Sequence, residues 1–258
     1  MRIPEKRIIE LKEFIKNEGT VTVEKLSKKF SISPITVRRD LARLDDEGFL
    51  KKVHGGAIYS QALEPEPVFT EKVKQYKEEK SKIARMAASR IDDGDSIILE
   101  SGSTCLGIVD YLKDKKNIRV STAGIPIAYE LWNMMAYKKD MEVEVCGGIV
   151  SLNANVYVGP HAVKYFESIN ADKAFVGAVA VSLDKGLSTA TPFDSEISQA
   201  VFRSAREVIL VCDSSKFNKY SYINVAPLTA IDEIITDDKI DRSVKEKIER
   251  SGVKITCV

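Results

Sequence analysis

The segment from Ser33 to Gly48 carries local signals for both ends of a helix. Ser33 is a favoured N-cap residue, Pro34 suits the first helical position, and Gly48 suits the left-handed residue that follows a helix. Because a helix has about 3.6 residues per turn, its apolar residues fall on one face: Val37, Leu41 and Leu44. The segment therefore predicts a helix that packs on one face and presents polar and basic residues on another.

A second, shorter helix is predicted just before this segment, from Val23 to Phe30, with Leu26 on the same apolar face as both ends. Only two residues separate this helix from Ser33. Two helices joined by so short a turn form a helix-turn-helix, in which the second helix enters the major groove of DNA.

The residues that follow complete a DNA-binding domain. Phe49 to Val53 can form a strand, and His54, Gly55 and Gly56 can form a tight turn at its tip. A strand and a turn after the second helix are typical of the wing of a winged helix. We therefore predict a winged helix-turn-helix domain over residues 1–58.

The charge of the chain is unevenly distributed. Residues 1–57 contain 13 Lys and Arg against 9 Asp and Glu, and the whole chain contains 39 against 38, so the other 201 residues contain 26 against 29. A positive N-terminal part suits contact with phosphates, and we expect double-stranded operator DNA to be its partner. The candidate DNA-binding residues lie on the second helix and the wing: Ser33, Thr36, Val37, Arg38, Arg39, Arg43, Lys51, Lys52 and His54.

The bulk properties favour a two-domain protein without a membrane segment. At 258 residues with 44% hydrophobic residues, the chain can bury two cores. No apolar run approaches the roughly 20 residues of a membrane span, and the first residues lack a signal-peptide core, so we expect a cytoplasmic protein. The four cysteines are scattered and only two histidines are present, which predicts reduced core cysteines, no metal site and no cofactor.

The middle of the chain predicts a domain boundary. Glu64 to Pro67 reads EPEP, an extended segment that resists helix formation. Phe69 to Arg90 is rich in Lys and Glu, and its apolar residues begin only near Ile83. We interpret residues 59–79 as a linker and connector helix that is exposed and docks only at its far end. Residues 80–258 would form the second domain.

From Ser96 onward, β-branched runs alternate with helical segments, which predicts an α/β domain with a largely parallel sheet. The expected strands are Ser96 to Glu100, Ile118 to Ser121, Val143 to Cys146, Ala174 to Val179, Val208 to Cys212, Glu233 to Thr236 and Val253 to Val258. The expected helices are Cys105 to Leu112, Ile125 to Met135, Ala162 to Ser168, Ser195 to Ala205 and Arg242 to Arg250.

Ligands of parallel sheets bind outside the carboxyl ends of the strands, and the residues there are small, polar or flexible. Hydroxyls and backbone N–H groups can bind a phosphate, glycines let a ligand approach the backbone, and a lysine can add a positive charge. Taken singly, each feature also fits a helix cap, a turn or a solvated surface lysine. Together they predict a phosphate site formed by Ser101, Gly102, Ser103, Thr104, Thr122, Gly124, Gly147, Gly148, Glu196 and Lys216.

Several motifs resemble the DeoR family of bacterial repressors of sugar and nucleoside metabolism. In the N-terminal part these are TVRRDL, LDDEGFL and HGGA, and in the C-terminal part they include ILESGST, VCGGIV, NVYVGP, DKGLST, VCDSSKF and IDEIITD. The resemblance implies a second domain similar to ribose-5-phosphate isomerase that senses a phosphorylated sugar or a related phosphorylated metabolite. It also implies a homodimer or homotetramer. Two departures are Glu100, where members often have Asp, and Ala123 with Gly124, where many have Asn-Ser.

We therefore interpret the chain as a transcriptional repressor of a carbohydrate or nucleoside catabolic operon, which a phosphorylated sugar releases from its operator. A sugar-phosphate isomerase is an alternative, with Glu196, Asp213 and Lys216 as candidate catalytic groups. Similarity of fold does not transfer activity, and a helix-turn-helix has no role in an isomerase. The other alternative is a constitutive DNA-binding protein whose second domain only oligomerises.

Overall fold

The computed structural model describes residues 3–18, 20–47, 49–53, 55–59, 69–151 and 154–258. The chain divides into two compact units, Met1–Glu66 and Pro67–Val258. Four predictions lie outside the described residues: the closing of the second helix by Gly48, the DNA contacts of the Lys51 side chain and of His54, and the extended segment 64–67.

The first unit has the predicted winged helix-turn-helix fold. Its helices are α1 (Ile3–Glu18), α2 (Val23–Phe30) and α3 (Pro34–Asp46), and its strands are β1 (Thr20–Thr22), β2 (Leu50–Val53) and β3 (Gly56–Tyr59). The strands form an antiparallel sheet in the order β1-β3-β2. Helix α1 was not predicted, and it supplies Leu11 and Ile15 to a core that also contains Leu26, Leu41 and Leu44.

Local contacts set the bounds of α2 and α3. The hydroxyl of Thr22 accepts a hydrogen bond from the backbone N–H of Lys25 at 3.1 Å, and that of Ser33 accepts one from Thr36 at 3.2 Å. Ser31, in the turn between the two helices, adopts the left-handed conformation with φ of 52°. The structure therefore confirms the predicted N-terminal cap of the second helix.

The second unit contains a seven-stranded sheet, parallel throughout, in the order β15-β14-β12-β9-β4-β5-β6. Its strands are β4 (Ser96–Leu99), β5 (Ile118–Thr122), β6 (Met141–Val145), β9 (Ala171–Val176), β12 (Ala205–Val211), β14 (Glu233–Thr236) and β15 (Lys254–Cys257). The helices are α4 (Phe69–Lys74), α5 (Lys77–Ala88), α6 (Ser103–Ile108), α7 (Ile125–Met135), α8 (Pro160–Glu167), α9 (Pro192–Ser204) and α10 (Arg242–Arg250).

Two small antiparallel sheets, which were not predicted, flank the parallel sheet. One is the hairpin of β7 (Ile149–Ser151) and β8 (Val156–Val158), and the other joins β10 (Ala180–Ser182), β11 (Gly186–Thr189) and β13 (Ile223–Ala226). The predicted fourth strand is also displaced, because the observed strand β9 ends at Val176. The chain from 177 onward leaves the sheet.

The connector differs from the prediction. It consists of α4 and α5, and its first residue, Phe69, is already buried. Lys80 is buried as well, with its Nζ donating a hydrogen bond to the carbonyl of Lys72. The predicted single helix is thus divided in two, and Phe69 is buried, but residues 70–79 are mostly exposed and the buried residues of α5 begin at Lys80.

The carboxylate of Glu233, at the start of β14, is buried and bound by cationic and hydroxyl groups. Arg90 donates to its two oxygens at 3.0 and 2.8 Å, and Lys254 and Thr256 of β15 donate at 3.0 and 2.6 Å. Burial opposes ionisation of Glu233, but these hydrogen bonds outweigh burial and lower its pKa from 4.5 to about 2. Glu233 thus joins the end of α5 to one edge of the sheet.

We predict that Glu233→Gln lowers the free energy of unfolding by about 2 kcal/mol near neutral pH, because Arg90 and Lys254 lose their charged partner. Since folding lowers this pKa, the contribution is present above pH 4.5 and is lost as pH falls towards about 2. Urea unfolding of both proteins at about pH 7 and pH 3 measures this difference. A difference that does not shrink in acid would contradict the prediction.

Candidate functional site

The exposed face of α3 carries two unpaired arginines. Arg38 and Arg39 are exposed, and neither makes an ion pair or side-chain hydrogen bond with the part of the chain that the structure describes. The opposite face of α3 packs into the core through Val37, Leu41 and Leu44. Packing on one side thus holds two guanidinium groups towards solvent on the other.

The remaining predicted residues of α3 have other environments. Ser33 is the N-cap, and its hydroxyl lies 2.9 Å from that of Thr36. Val37 has no exposed surface, so its prediction as a DNA contact is wrong. Arg43 is exposed but donates to Glu47 at 2.8 Å, and that carboxylate also accepts from Lys12 of α1. Arg43 therefore belongs to a surface ion-pair network.

The wing lies beside the start of α2. The backbone N–H of Val23 donates to the carbonyl of Gly55 at 2.9 Å, and a side chain at position 56 would lie 2.1 Å from the carbonyl oxygen of Val21. Glycine is therefore required at position 56. Lys52 of β2 is exposed, as predicted for a DNA contact, whereas the side chain of Lys51 lies outside the described residues.

A groove of about 370 Å³ is lined by residues of the wing and of both helices of the helix-turn-helix. Its lining includes Lys28 of α2, Arg38 of α3 and Gly55 of the wing. Lys28 is paired with Glu24 at 2.9 Å, so Arg38 is the cation of this lining without a partner in the described chain.

In the second unit, the order of the parallel strands reverses between β4 and β9. The chain runs from β4 through β5 to β6 on one side, and from β9 through β12 and β14 to β15 on the other. Helices that follow adjacent strands on either side of such a point diverge, and this leaves a crevice at the carboxyl ends of the strands. Glu100, Ser101 and Gly177 lie at this point.

The turn after β4 presents three hydroxyl groups. Ser101 and Ser103 are half-buried and Thr104 is buried, and none of these hydroxyls makes a hydrogen bond with another described residue. Gly102 has φ of 95°, a conformation that other residues rarely adopt. The predicted group Ser101 to Thr104 thus spans the turn after β4 and the first residues of α6. Its three hydroxyls have no hydrogen-bond partner among the described residues.

Glu100 is the buried acidic group of this crevice. Its carboxylate accepts a hydrogen bond from the hydroxyl of Ser198 on α9 and another from the backbone N–H of Gly177 at 3.3 Å. Burial raises the pKa of Glu100 to about 7, against the effect of these two bonds, and the nearby carboxylate of Asp194 raises it further. Glu100 therefore titrates close to neutral pH.

An aspartate and a lysine follow β12 at the carboxyl end of the sheet, and a second lysine is buried on α5. Asp213 and Lys216 follow β12, and one carboxylate oxygen of Asp213 is buried without a hydrogen-bond partner in the described chain. Burial lowers the pKa of Lys80, the charge of Asp213 opposes that shift, and the charge of Lys216 adds to it. Sequence reasoning missed Lys80, although it shares an α5 face with the core residues Ile83 and Ala87.

Thr122 and Gly124 lie in a buried turn next to Glu100, whose carbonyl oxygen is 3.4 Å from the hydroxyl of Thr122. The hydroxyl of Thr122 is bound to the backbone N–H of Gly124 at 2.9 Å, and both residues are buried. The hairpin of β7 and β8 covers this turn, since the N–H of Tyr157 donates to the carbonyl of Ala123 at 2.9 Å. Gly147 and Gly148, with φ of 64° and 125°, form the turn that leads into that hairpin. Both glycines thus adopt turn conformations, and their contact with a ligand stays a prediction.

Glu196 is separated from the others. It is exposed on α9, whereas Asp194 and Ser198 on the same helix face Glu100. At about 100° per residue, Glu196 lies about 160 to 200° around the helix from these two residues. The structure thus brings Asp194, and not Glu196, to the crevice.

The described part of the chain offers neither a metal site nor a membrane span. No group of three or more His, Cys, Asp or Glu residues there could hold a metal ion. None of the helices in the described ranges is both long enough and apolar enough to cross a membrane.

Comparisons with known proteins match both units. A family model described as the DeoR-like helix-turn-helix domain matches residues 7–62, and one described as the DeoR C terminal sensor domain matches residues 75–238. The chain is 32% identical over 237 residues to the HTH-type transcriptional regulator IolR of Bacillus subtilis, covering 91% of this chain and 92% of that protein. It is 30% identical over 253 residues to the HTH-type transcriptional regulator GlpR of Haloferax volcanii, covering 98% and 97%.

Among solved structures, ribose 5-phosphate isomerase A from Methanocaldococcus jannaschii aligns with 54% of this chain and 53% of its own, with a TM-score of 0.38 and 17% identity.

Proposed function

This chain belongs to the DeoR family of DNA-binding transcriptional regulators, with that family's helix-turn-helix and sensor domains, and we propose that it represses a carbohydrate or nucleoside catabolic operon and releases the operator when a phosphorylated sugar binds. The first part of the proposal concerns DNA and the second concerns the crevice of the sensor domain. The two parts can be tested separately.

The DNA part is supported by the exposed face of α3, where Arg38 and Arg39 have no partner in the described chain. Guanidinium groups on a helix of this kind can bind phosphates or form bidentate hydrogen bonds with guanine. We propose that three residues of the wing add contacts with the phosphates of the DNA backbone: Lys51, Lys52 and His54. Because such modules read paired half-sites, we propose a homodimer or homotetramer on repeated or palindromic DNA.

The observation that supports the sensor part is that two chemically different sets of side chains lie at the carboxyl ends of the strands. One set is made of hydroxyls and lysines, and the other of carboxyl groups. The hydroxyls of Ser101, Ser103 and Thr104 have no partner in the described chain, and together with the positive charges of Lys216 and Lys80 they form a set suited to a phosphate. Glu100 and Asp194 provide carboxylate oxygens, which can accept hydrogen bonds from sugar hydroxyls. We therefore propose that the phosphate binds to the hydroxyls and lysines and that the sugar binds to the carboxyl groups.

The experiment is a titration of operator affinity with phosphorylated metabolites. The full-length protein selects a duplex from a random pool, and its affinity for that duplex is measured with and without pentose and hexose phosphates. If an effector lowers the affinity for DNA by some factor, linkage requires that DNA lowers the affinity for that effector by the same factor. If no phosphorylated metabolite changes the affinity, the sensor part fails while the DNA part stands, which is the outcome expected for a constitutive DNA-binding protein.

We predict that Lys216→Ala retains operator affinity but needs at least about a tenfold higher concentration of sugar phosphate for release, because one charge–phosphate contact is removed. Lys113→Ala is the matched control, since Lys113 is exposed and precedes β5, at the amino ends of the parallel strands. Fluorescence anisotropy of a labelled operator measures both properties. A response of the Lys216 variant equal to that of the wild type would refute its role.

The isomerase alternative is weaker on geometry. Its candidate groups were Glu196, Asp213 and Lys216, and Glu196 is exposed on a face of α9 that points away from Glu100. Incubation of the purified protein with pentose and hexose phosphates tests this alternative directly. Formation of the isomeric sugar phosphate would support an enzyme.

A further inference from the structure

Ile35 is a large apolar residue at the centre of the exposed face of α3. It is the second residue of the helix and is 77% exposed. At about 100° per residue, Ile35 lies between Arg38 and Arg39 when the helix is viewed along its axis. The apolar face that packs into the core, with Val37 and Leu41, lies on the other side.

Folding gives no reason for isoleucine at this position. The side chain buries little area, and a β-branched residue forms helix less readily than alanine or lysine. Single exposed apolar residues are common on protein surfaces. Ile35 differs from those because it lies in the first turn of the second helix of a helix-turn-helix, whose N-terminal residues contact base edges.

The chemistry of the major groove limits what an isoleucine can recognise there. Guanine, cytosine and adenine present hydrogen-bond donors and acceptors, which an aliphatic side chain would cover without pairing. Thymine also presents its C5 methyl group, which is an apolar surface that an aliphatic side chain can bury. We propose that Ile35 recognises a thymine in each operator half-site by packing against this methyl group, beside the positions contacted by Arg38 and Arg39. This inference rests on the proposed function.

The test replaces each thymine of the duplex selected by the wild-type protein with deoxyuridine, one position at a time. Deoxyuridine lacks the C5 methyl group and retains all hydrogen-bonding groups. In the wild type, one substitution per half-site should weaken binding by about fourfold, the effect of one buried methyl group. In Ile35→Ala, affinity for the thymine duplex should fall by at least as much, and the penalty for deoxyuridine at that position should disappear.

Ile9→Ala is the matched control, because Ile9 is 54% exposed on α1 of the same unit. This variant should keep the full deoxyuridine penalty. The proposal is overturned if no position is sensitive to deoxyuridine, if the penalty persists in Ile35→Ala, or if Ile35→Ala changes only the oligomeric state, as for a contact between subunits. If the wild type enriches no sequence, the proposed function and this inference both fail, whereas enrichment without coupling to Ile35 removes only this inference.

Discussion

Replacing Arg38 or Arg39 with alanine is expected to weaken operator binding by about 1 to 3 kcal/mol, or roughly 5- to 150-fold, with the fold intact. The effect is large because each guanidinium is exposed without a partner in the described chain, so its interactions with DNA replace only water. The fold should tolerate both changes, since alanine favours helix and neither side chain packs in the core. Anisotropy titrations at one fixed salt concentration measure the loss, and circular dichroism checks the fold.

The salt dependence of binding separates the roles of the two arginines. Loss of a phosphate contact weakens binding to all duplexes and reduces the slope of log affinity against log salt by about 1, whereas loss of a guanine contact relaxes preference at one base pair. Arg242→Ala, which removes an exposed arginine from α10 in the other unit, is the control for net charge. Unchanged affinity in both α3 variants would refute α3 as the DNA-reading helix.

The elements that could be predicted from the sequence are those with local signals. The bounds of α2, α7 and α10 coincide with the predicted ranges, because capping residues and helical periodicity are encoded within each segment. The three-residue strands β7, β8 and β10 contain too few residues to show a periodicity, and their partners are chosen by tertiary structure. Strand β13 pairs with β11 from more than thirty residues away along the chain.

A candidate site at the carboxyl ends of the strands could be predicted from the sequence. The contacts that its residues make could be predicted only in part. The rule that ligands lie at the carboxyl ends of parallel strands singled out the turn after β4, which lies where the strand order reverses. It could not show that a hairpin covers the neighbouring turn at Gly124, because this depends on contacts of β8. The choice between Asp194 and Glu196 depended on the rotation of α9 about its axis, which is fixed by the packing of Ile197 and Val201.

Replacing Glu100 with glutamine is expected to stabilise the sensor domain in alkaline solution. Folding raises the pKa of this carboxyl from 4.5 to about 7, so the folded chain binds more protons between these values. The stability it contributes is fully present below pH 4.5 and is lost as pH rises through about 7. Glutamine mimics the neutral carboxyl, since its amide can donate to Ser198 while its oxygen accepts from Gly177.

We therefore expect Glu100→Gln to raise the free energy of unfolding by about 2 kcal/mol near pH 8, which corresponds to roughly 5 °C in Tm, and to change it little near pH 5. Thermal unfolding followed by circular dichroism at both pH values measures the difference. Glu130→Gln removes an exposed carboxylate from α7 and should show no such dependence on pH. Equal effects of Glu100→Gln at both pH values would contradict the burial of an ionised carboxylate above neutrality.

The same substitution should remove a dependence of the sugar-phosphate response on pH. A phosphate bound at Ser101 to Thr104 would favour the neutral form of the adjacent Glu100, whose carbonyl oxygen can still accept from a sugar hydroxyl, so we expect binding above about pH 7 to take up a proton. The concentration of sugar phosphate that releases the operator should therefore rise by up to about tenfold between pH 6.5 and 8.5 in the wild type, for a bound-state pKa higher by about one unit. In Glu100→Gln that rise should vanish. Ionisation of the phosphate ester itself affects both proteins equally, so a rise that is the same in the two proteins would exclude Glu100 as its source.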